Sequence, residues 1–235
     1  MHFPVEKINL LETPFYYYDT DLLRETLRTI SQETGRYSQY HVHYAVKANA
    51  NPRILSIIRE YDLGADCVSG GEIKAVMKAG FPADKIVFAG VGKADWEIKL
   101  GLEAGIYCFN VESIPELENI DKLAGEMGKT APVALRINPN IDAHTHHYIT
   151  TGLNENKFGI SLNHFEKVLD YLPKLSHVHF KGLHFHIGSQ IVDMSPFQML
   201  CNRINEIQEN LFRRGIVVDV INVGGGLGVD YQTPD

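Results

Sequence analysis

The feature that most constrains this fold is the alternation of short β-branched or aromatic runs with amphipathic helical stretches, repeating roughly every 25 to 30 residues. The strand candidates are residues 15–18, 42–46, 65–69, 86–89, 107–111, 133–137, 178–186 and 217–223. The helix candidates between them are residues 21–31, 51–61, 71–79, 95–104, 114–127, 163–172 and 196–213. Because parallel strands need a crossover connection, this rhythm predicts an α/β protein with a parallel sheet. Eight strand candidates are enough to close a (β/α)8 barrel of the TIM type.

Glycines mark the ends of several predicted helices. Gly80, Gly105, Gly128 and Gly215 each follow a helix candidate closely. Glycine adopts the left-handed conformation that ends a helix without a steric penalty at Cβ. We therefore predict that these residues are helix caps.

The composition argues against several classes of protein. With 235 residues, 44% of them hydrophobic, the chain can bury the core of a single domain. Its net charge of −7, with no run rich in Lys and Arg, argues against nucleic-acid binding and favours a small-molecule partner. The sequence shows neither a secretion signal nor an apolar run long enough to span a membrane. Three isolated cysteines, Cys67, Cys108 and Cys201, are predicted to be reduced core thiols, which indicates a cytoplasmic protein.

One long irregular segment extends from Pro139 to about Gly159. A loop of this length inside a compact domain is usually functional, so we predict that it covers the active face. Its candidate binding residues are His144, His146, His147, Tyr148, Asn154, Asn156 and Lys157.

Lys47 follows an otherwise apolar strand candidate. A buried ammonium group is costly without a partner, so Lys47 either reaches solvent or is used covalently. In a parallel barrel the carboxyl ends of the strands face the active site, where a desolvated lysine can attack an aldehyde. From the residues alone both interpretations stay open.

A glycine-rich turn, Gly224-Gly225-Gly226-Leu227-Gly228, follows the last strand candidate. Backbone N–H groups without neighbouring Cβ atoms can converge on an anion. The spacing matches neither the P-loop nor the dinucleotide-binding pattern. A barrel phosphate site after the last strands is the better match.

Two histidines, His184 and His186, alternate with Phe185 and so lie on one strand face, ahead of Ser189. A zinc site would need further ligands at a suitable short spacing, and the histidines of the 139–159 segment do not supply it. We predict instead that an imidazole stacks on a planar cofactor while Ser189 binds phosphate. A histidine hydrogen-bonded within the core is the alternative.

Asp66 and Arg136 are charged side chains near the carboxyl ends of apolar strand candidates. Each is costly to bury unless it is paired. They are predicted either to form structural ion pairs or to order a bound cofactor.

Six motifs follow one another along the chain. They are Tyr44 to Asn49, Asp66 with Ser69 to Glu72, Arg136 to Pro139, Lys157 to Ile160, His186 to Gln190, and Gly224 to Gly226. Together, from about Phe15 to Asp235, they resemble the barrel-fold, alanine racemase-like pyridoxal phosphate decarboxylases.

The resemblance implies pyridoxal 5′-phosphate as the cofactor and requires no metal. It implies that Lys47 binds the cofactor covalently and that His186 stacks on its ring, which makes these two the catalytic residues. Ser189 and the turn Gly224, Gly225, Gly226 would bind the phosphate.

The resemblance also implies that Asp66 and Arg136 lie around the cofactor. The reaction would be decarboxylation of a small amino-acid substrate that is basic or carries two amino groups. The leading candidate is meso-diaminopimelate, which yields L-lysine in lysine biosynthesis. The full-length parent would be a homodimer that binds neither nucleic acid nor membrane.

Family members have two further parts that this sequence does not show, a last barrel strand carrying a glutamate and a C-terminal β domain. We therefore expect residues 1–30 to be an N-terminal segment that pairs with that β domain. Residues 31–235 would be an incomplete barrel of seven strands, in which 15–18 is not a barrel strand. On this view the chain is truncated at its C-terminus and is inactive alone.

Other functions stay open from the sequence. A decarboxylase of the same fold could act on ornithine, arginine or carboxynorspermidine, and a non-catalytic relative would bind the cofactor without turnover. An unrelated aldolase-type barrel would also use a Schiff-base lysine. It would explain neither the histidine strand nor the order of the motifs.

Overall fold

A computed structural model describes residues 5–141 and 158–231 of the chain. Short strands alternate with helices, as predicted. The strands are β1 His43–Ala45, β2 Gly64–Cys67, β3 Ile86–Phe88, β4 Cys108–Val111, β5 Ala131–Asn138, β6 Ile160–Ser161, β7 Val178–His184 and β8 Val220–Asn222. The helices are α1 Val5–Ile8, α2 Thr20–Thr34, α3 Pro52–Arg59, α4 Gly70–Lys78, α5 Asp95–Ala104, α6 Ile114–Glu126, α7 Leu162–Tyr171 and α8 Ser195–Arg213. Short 3-10 turns cover Val46–Ala48, Ala83–Lys85 and Leu172–Lys174.

The strands join in the order in which they occur in the chain. The path is β1-β2-β3-β4-β5-β7-β8, with β6 paired to the end of β5, and every pairing is parallel. A doubly wound sheet reverses its direction of growth, whereas a barrel adds each new strand on the same side. The predicted barrel class is therefore confirmed as a curled, open half-barrel, with β1 and β8 at its edges in the described chain.

Two details of the strand prediction are wrong. Residues 15–18 form no strand, because their aromatic side chains are exposed and no described strand pairs with them. The short strand β6 was not predicted, because two residues are too few to show a hydrophobic pattern. The continuous path has seven strands, which agrees with the count that the family resemblance implies.

The predicted glycine caps are confirmed. Gly80, Gly105, Gly128 and Gly215 have φ values of 90°, 66°, 62° and 71°, all in the left-handed region. They lie at or just after the ends of α4, α5, α6 and α8. Glycine is needed there because other residues rarely adopt this conformation.

The two faces of the sheet have different packing. Phe88, Phe109 and Leu135 point outward and are fully buried against the helices in the main core. Their neighbours Val87 and Cys108 belong to a separate small cluster on the inner face of the curled sheet. This alternation follows from the pleat, which directs successive side chains to opposite faces.

The cysteines agree only in part with the prediction. Cys67 and Cys108 are buried free thiols, and burial raises the pKa of each. Cys201 is instead exposed on α8, so its assignment to the core is wrong. The amphipathic pattern of α8 places it on the solvent side of the helix.

Two further expectations concern the whole chain. Among the described residues, none of the helices combines the length and apolarity needed to cross a membrane. Helix α2 is continuous across residue 30, with Leu27 buried in the core. The division between residues 1–30 and 31–235 stays a prediction.

Candidate active site

The predicted site residues meet at the carboxyl edge of the sheet. Lys47 lies in the 3-10 turn directly after β1, and Asp66 lies within β2. Arg136 is near the end of β5, His186 follows β7, and Gly224 follows β8. Because the strands are parallel, these positions share one edge, where ligands bind in barrels.

The strand predicted at 42–46 ends at Ala45, and the chain turns at Val46, so Lys47 lies in a turn rather than directly after a strand. Val46 is fully buried and anchors the turn, while Lys47 is exposed. The hydroxyl of Tyr44 donates to the carbonyl oxygen of Asn49 at 3.1 Å and closes the turn. The amine of Lys47 is therefore held on a fixed backbone and remains accessible to a ligand.

Asp66 is a partly buried residue of β2 on which the charge of Lys47 acts. Burial raises the pKa of Asp66 to about 6, although the charges of Lys47 and Arg136 act in the opposite direction. Its Oδ1 is buried without a hydrogen-bond partner among the described residues. Asp66 therefore forms no structural ion pair in the described chain and is available to a bound group.

Arg136 is held by partners from two other parts of the chain, one directly after β4 and one shortly before β6. Its Nη1 donates to Oε1 of Glu112 at 2.8 Å, with only 3% of the Glu112 side chain exposed. Its guanidinium carbon lies 5.4 Å from the centre of the Phe158 ring, a cation–π contact. The prediction that Arg136 forms an ion pair is thus confirmed, and the pair lies near the carboxyl edge of the sheet, next to the candidate site.

The two histidines are uncharged at neutral pH. Burial and the charge of Arg136 hold the pKa of His184 well below its usual range. Burial, with smaller effects of Arg136 and Lys47, lowers the pKa of His186 to about 4. Among residues 5–141 and 158–231, no group of three or more His, Cys, Asp or Glu side chains is arranged to hold a metal ion.

The glycine turn is pressed against the segment that follows β7. A Cβ on Gly224 would lie 2.4 Å from the carbonyl oxygen of Phe185, and one on Gly226 would lie 2.1 Å from that of Gly188. These contacts leave no space for a side chain. A Cβ on Gly225 would meet no described heavy atom within 4 Å, so a side chain would fit at this position.

The loop after β7 is tied to the loop after β8, which places Ser189 beside the glycine turn. The Gln190 side chain accepts the Val229 N–H at 3.1 Å and donates to the Val229 carbonyl oxygen at 2.5 Å. A Cβ on Gly226 would be 3.6 Å from the Cα of Ser189. The predicted phosphate-binding residues are therefore brought together.

This arrangement fits pyridoxal phosphate. An accessible amine at Lys47 and the unpartnered carboxyl oxygen of Asp66 lie on one side, while an open backbone and a hydroxyl lie on the other. The imidazole of His186 lies against the glycine turn, since its Nδ1 would be 3.0 Å from a Cβ on Gly224, and it is close enough to Lys47 for that charge to lower its pKa. Lys47 would hold the aldehyde carbon, His186 would cover the ring, and Ser189 with the glycine turn would hold the phosphate.

Sequence reasoning missed a buried network next to this site. Lys93 donates to Glu116 Oε1 at 2.6 Å and to the carbonyl oxygens of Gly90 and Asn110 at 2.7 and 2.8 Å. Glu116 in turn accepts the backbone N–H of Glu112 at 2.8 Å. The signal in the sequence was a lysine in the glycine-containing turn after β3 and a glutamate directly after β4.

The predicted binding residues of the 139–159 segment lie outside the described residues. They are His144, His146, His147, Tyr148, Asn154, Asn156 and Lys157.

Comparison with known proteins agrees with this geometry. Residues 21–235 match the family model described as pyridoxal-dependent decarboxylase, pyridoxal binding domain. The chain belongs to this family. The predicted cofactor, pyridoxal phosphate, is thereby confirmed.

Individual relatives are similar over nearly the whole chain. A diaminopimelate decarboxylase of Bacteroides thetaiotaomicron is 64% identical over 233 residues, which are 99% of this chain and 60% of that protein. The crystal structure of a Helicobacter pylori diaminopimelate decarboxylase complexed with L-lysine is 40% identical, with a TM-score of 0.92. It is matched over 98% of this chain and 58% of its own. The chain thus spans about three fifths of the length of these relatives.

Proposed function

We propose that this chain is the pyridoxal-binding part of a diaminopimelate decarboxylase, a carboxy-lyase that converts meso-diaminopimelate to L-lysine. The observation that carries the proposal is the convergence of Lys47, His186 and the glycine turn on one edge of the sheet. The choice of substrate is supported by the names of the relatives, one of which was crystallised with L-lysine.

The bound cofactor supplies an electron sink for the pair of electrons that a departing carboxylate leaves behind. Lys47 would hold the cofactor through its amine, and because the residue is exposed, the amine of a substrate could reach the same place. Asp66, with a pKa of about 6, can hold or release a proton near neutral pH, within the electrostatic influence of Lys47. The neutral imidazole of His186 offers an apolar face to the ring without adding charge.

The phosphate end is bound by backbone and hydroxyl donors. The space next to the Gly225 Cα is open, and Ser189 is exposed in the loop linked to this turn. Donors held on two linked loops orient an anion without a large entropic cost. We infer that these donors set the depth at which the cofactor sits.

Assembly and location are further parts of the proposal. We infer a cytoplasmic homodimer for the full-length protein, in which residues 1–30 pair with a β domain. The inference is supported by the motif order and by the free thiols of the described chain.

The first experiment is an absorbance spectrum of the purified chain with pyridoxal phosphate, before and after borohydride reduction. We expect a cofactor band that reduction fixes to the protein in wild type and in the control Lys78→Ala, which changes an exposed lysine on α4. Lys47→Ala should lose covalent attachment. Attachment that survives Lys47→Ala in a folded protein would refute the assignment of Lys47.

The substrate is tested in the full-length protein. Release of L-lysine from meso-diaminopimelate, with little turnover of ornithine, arginine or carboxynorspermidine, is the expected result. Preference for one of the other substrates would correct the proposal to another decarboxylase. Cofactor binding without any turnover would indicate a non-catalytic relative.

A further inference from the structure

Glu112 is a buried carboxylate next to the site that the proposed reaction does not use. It directly follows β4, with 3% of its side chain exposed. Its Oε1 accepts from Arg136 Nη1 at 2.8 Å, and its Oε2 is buried without a hydrogen-bond partner among the described residues. Arg136 is therefore the one cation within ion-pair distance of this carboxylate in the described chain.

The backbone that carries Glu112 is itself held in place. Lys93 and Glu116 form an ion pair with side chains only 1% and 10% exposed. Lys93 donates to the carbonyl oxygen of Asn110, and Glu116 accepts the N–H of Glu112. One buried ion pair thus holds the end of β4 on both sides of Val111, which fixes the backbone that carries the Glu112 side chain.

Arg136 is fixed from two directions. Glu112 holds one of its terminal nitrogens, and the ring of Phe158 lies over the guanidinium carbon at 5.4 Å. A guanidinium group has five N–H donors, so this arrangement leaves others for a ligand. The charge of Arg136 also acts on Asp66 and His186, since it lowers the pKa of both groups.

We propose that Glu112 is a positioning residue for the cofactor site, which holds the Arg136 guanidinium beside Asp66 and His186 in one orientation. The inference depends on the proposed function, because it concerns binding of pyridoxal phosphate. Glu112 acts through Arg136 and needs no contact with the cofactor.

A double-mutant cycle in the full-length protein tests this role. The variants are Glu112→Gln, Arg136→Met and the double variant, and the measurement is the dissociation constant of pyridoxal phosphate from an absorbance titration. Glu206→Gln is the control, because Glu206 pairs with Arg203 on the exposed face of α8. Circular dichroism of each variant reports folding separately.

We expect Glu112→Gln to weaken cofactor binding by about tenfold, as contacting groups are coupled to this extent. In the Arg136→Met background the same substitution should change the constant by less than about twofold, because its only route of action is already removed. Glu206→Gln should bind as the wild type does. An equal effect of Glu112→Gln in both backgrounds would show a merely structural role and overturn the inference.

If Glu112→Gln does not fold, Glu112→Asp is tested instead. It keeps the negative charge but shortens the side chain by one methylene group, which moves the carboxylate away from Arg136. Weaker cofactor binding by a natively folded Glu112→Asp supports the positioning role, and unchanged binding overturns it. A wild type that binds no pyridoxal phosphate would overturn the proposed function together with this inference. A wild type that binds, with Glu112→Gln unchanged, overturns the inference alone.

Discussion

Burial at the site favours the neutral form of both an acid and a base. The pKa of Asp66 is raised to about 6, and the pKa of His186 is lowered to about 4. Both shifts arise chiefly from desolvation, which penalises the charged form whatever its sign. At neutral pH the imidazole of His186 is therefore uncharged, whereas Asp66 begins to take up a proton only one pH unit below neutrality, close to the positive charges of Lys47 and Arg136.

The Asp66 carboxyl should lower the stability of the cofactor-free protein as the pH rises. Its pKa is raised from 3.8 to about 6, so the folded chain retains a proton that the unfolded chain has lost. The free energy of unfolding then falls between about pH 4 and pH 6, by about 1 to 3 kcal/mol. Asp66→Asn should match wild type near pH 4 and be more stable above pH 6, as measured by urea unfolding. The control Asp84→Asn, at an exposed position, should have the stability of wild type at each pH. A difference in stability between Asp66→Asn and wild type that does not change with pH would contradict the prediction.

His186 should have the opposite dependence on pH. Its pKa is lowered from 6.5 to about 4, so between these values the unfolded chain binds a proton that the folded chain does not. The free energy of unfolding then falls by about 1 to 3 kcal/mol as the pH is lowered through this window. Urea unfolding of His186→Asn should lack this loss, whereas the exposed control His41→Asn should retain it. If the free energies of unfolding of wild type and His186→Asn differ by the same amount at every pH from 7 to 4, His186 is not the group with the lowered pKa.

At the scale of elements, local signals predicted the helices well. The predicted helix 95–104 is α5, Asp95–Ala104, and the prediction 71–79 differs from α4, Gly70–Lys78, by one residue at each end. Capping residues and helical periodicity are contained within the segment itself. The strand at residues 15–18 was wrong, because strand formation needs a partner that the segment's own composition cannot show.

The site shows the same distinction. Lys47, Asp66 and His186 were predicted as site residues because each is an ionisable residue in or beside an apolar strand and lies in one of the six motifs. Glu112 also follows an apolar strand, but neither it nor Lys93 lies in these motifs. Their roles depend on partners from other parts of the chain, Arg136 and Glu116. The local sequence pattern thus shows where an ionisable residue lies beside a strand. Which residue it pairs with depends on how distant parts of the chain come together in the fold.

The glycine turn after β8 should tolerate substitution at one position only. Gly224 and Gly226 have φ values of 76° and 96°, and a Cβ at either would clash with a carbonyl oxygen. Each substitution to Ala should destabilise the protein by about 2 kcal/mol or more, since strain and overpacking combine. Gly225→Ala is the matched control and should change stability by less than about 0.5 kcal/mol in thermal unfolding. Equal losses at the three positions would contradict the steric argument.

At the scale of the whole molecule, the inner strands and the edge strands differ in burial. All four residues of β4 are buried, whereas the residues of β1 and β8 are only partly buried. Strands β1 and β8 are also the edges of the described sheet, so each has a neighbouring strand on one side only. Burial and pairing on both sides raise the free energy needed for local opening, so the sheet should open from its edges.

Hydrogen exchange in the cofactor-free protein should therefore be slowest in β3, β4 and β5 and faster in β1 and β8. Edge strands open without unfolding the core, whereas the amide of Phe109 becomes exposed only when the core around it opens. Pyridoxal phosphate binds only the folded site, so it should slow exchange after β7 and β8, where Ser189 and Gly225 lie. Exchange followed by mass spectrometry separates these regions, and Lys47→Ala should lose most of the cofactor-dependent protection. Uniformly fast exchange would show that the chain does not hold this fold alone, whereas uniform slow exchange would show that β1 and β8 are covered in solution.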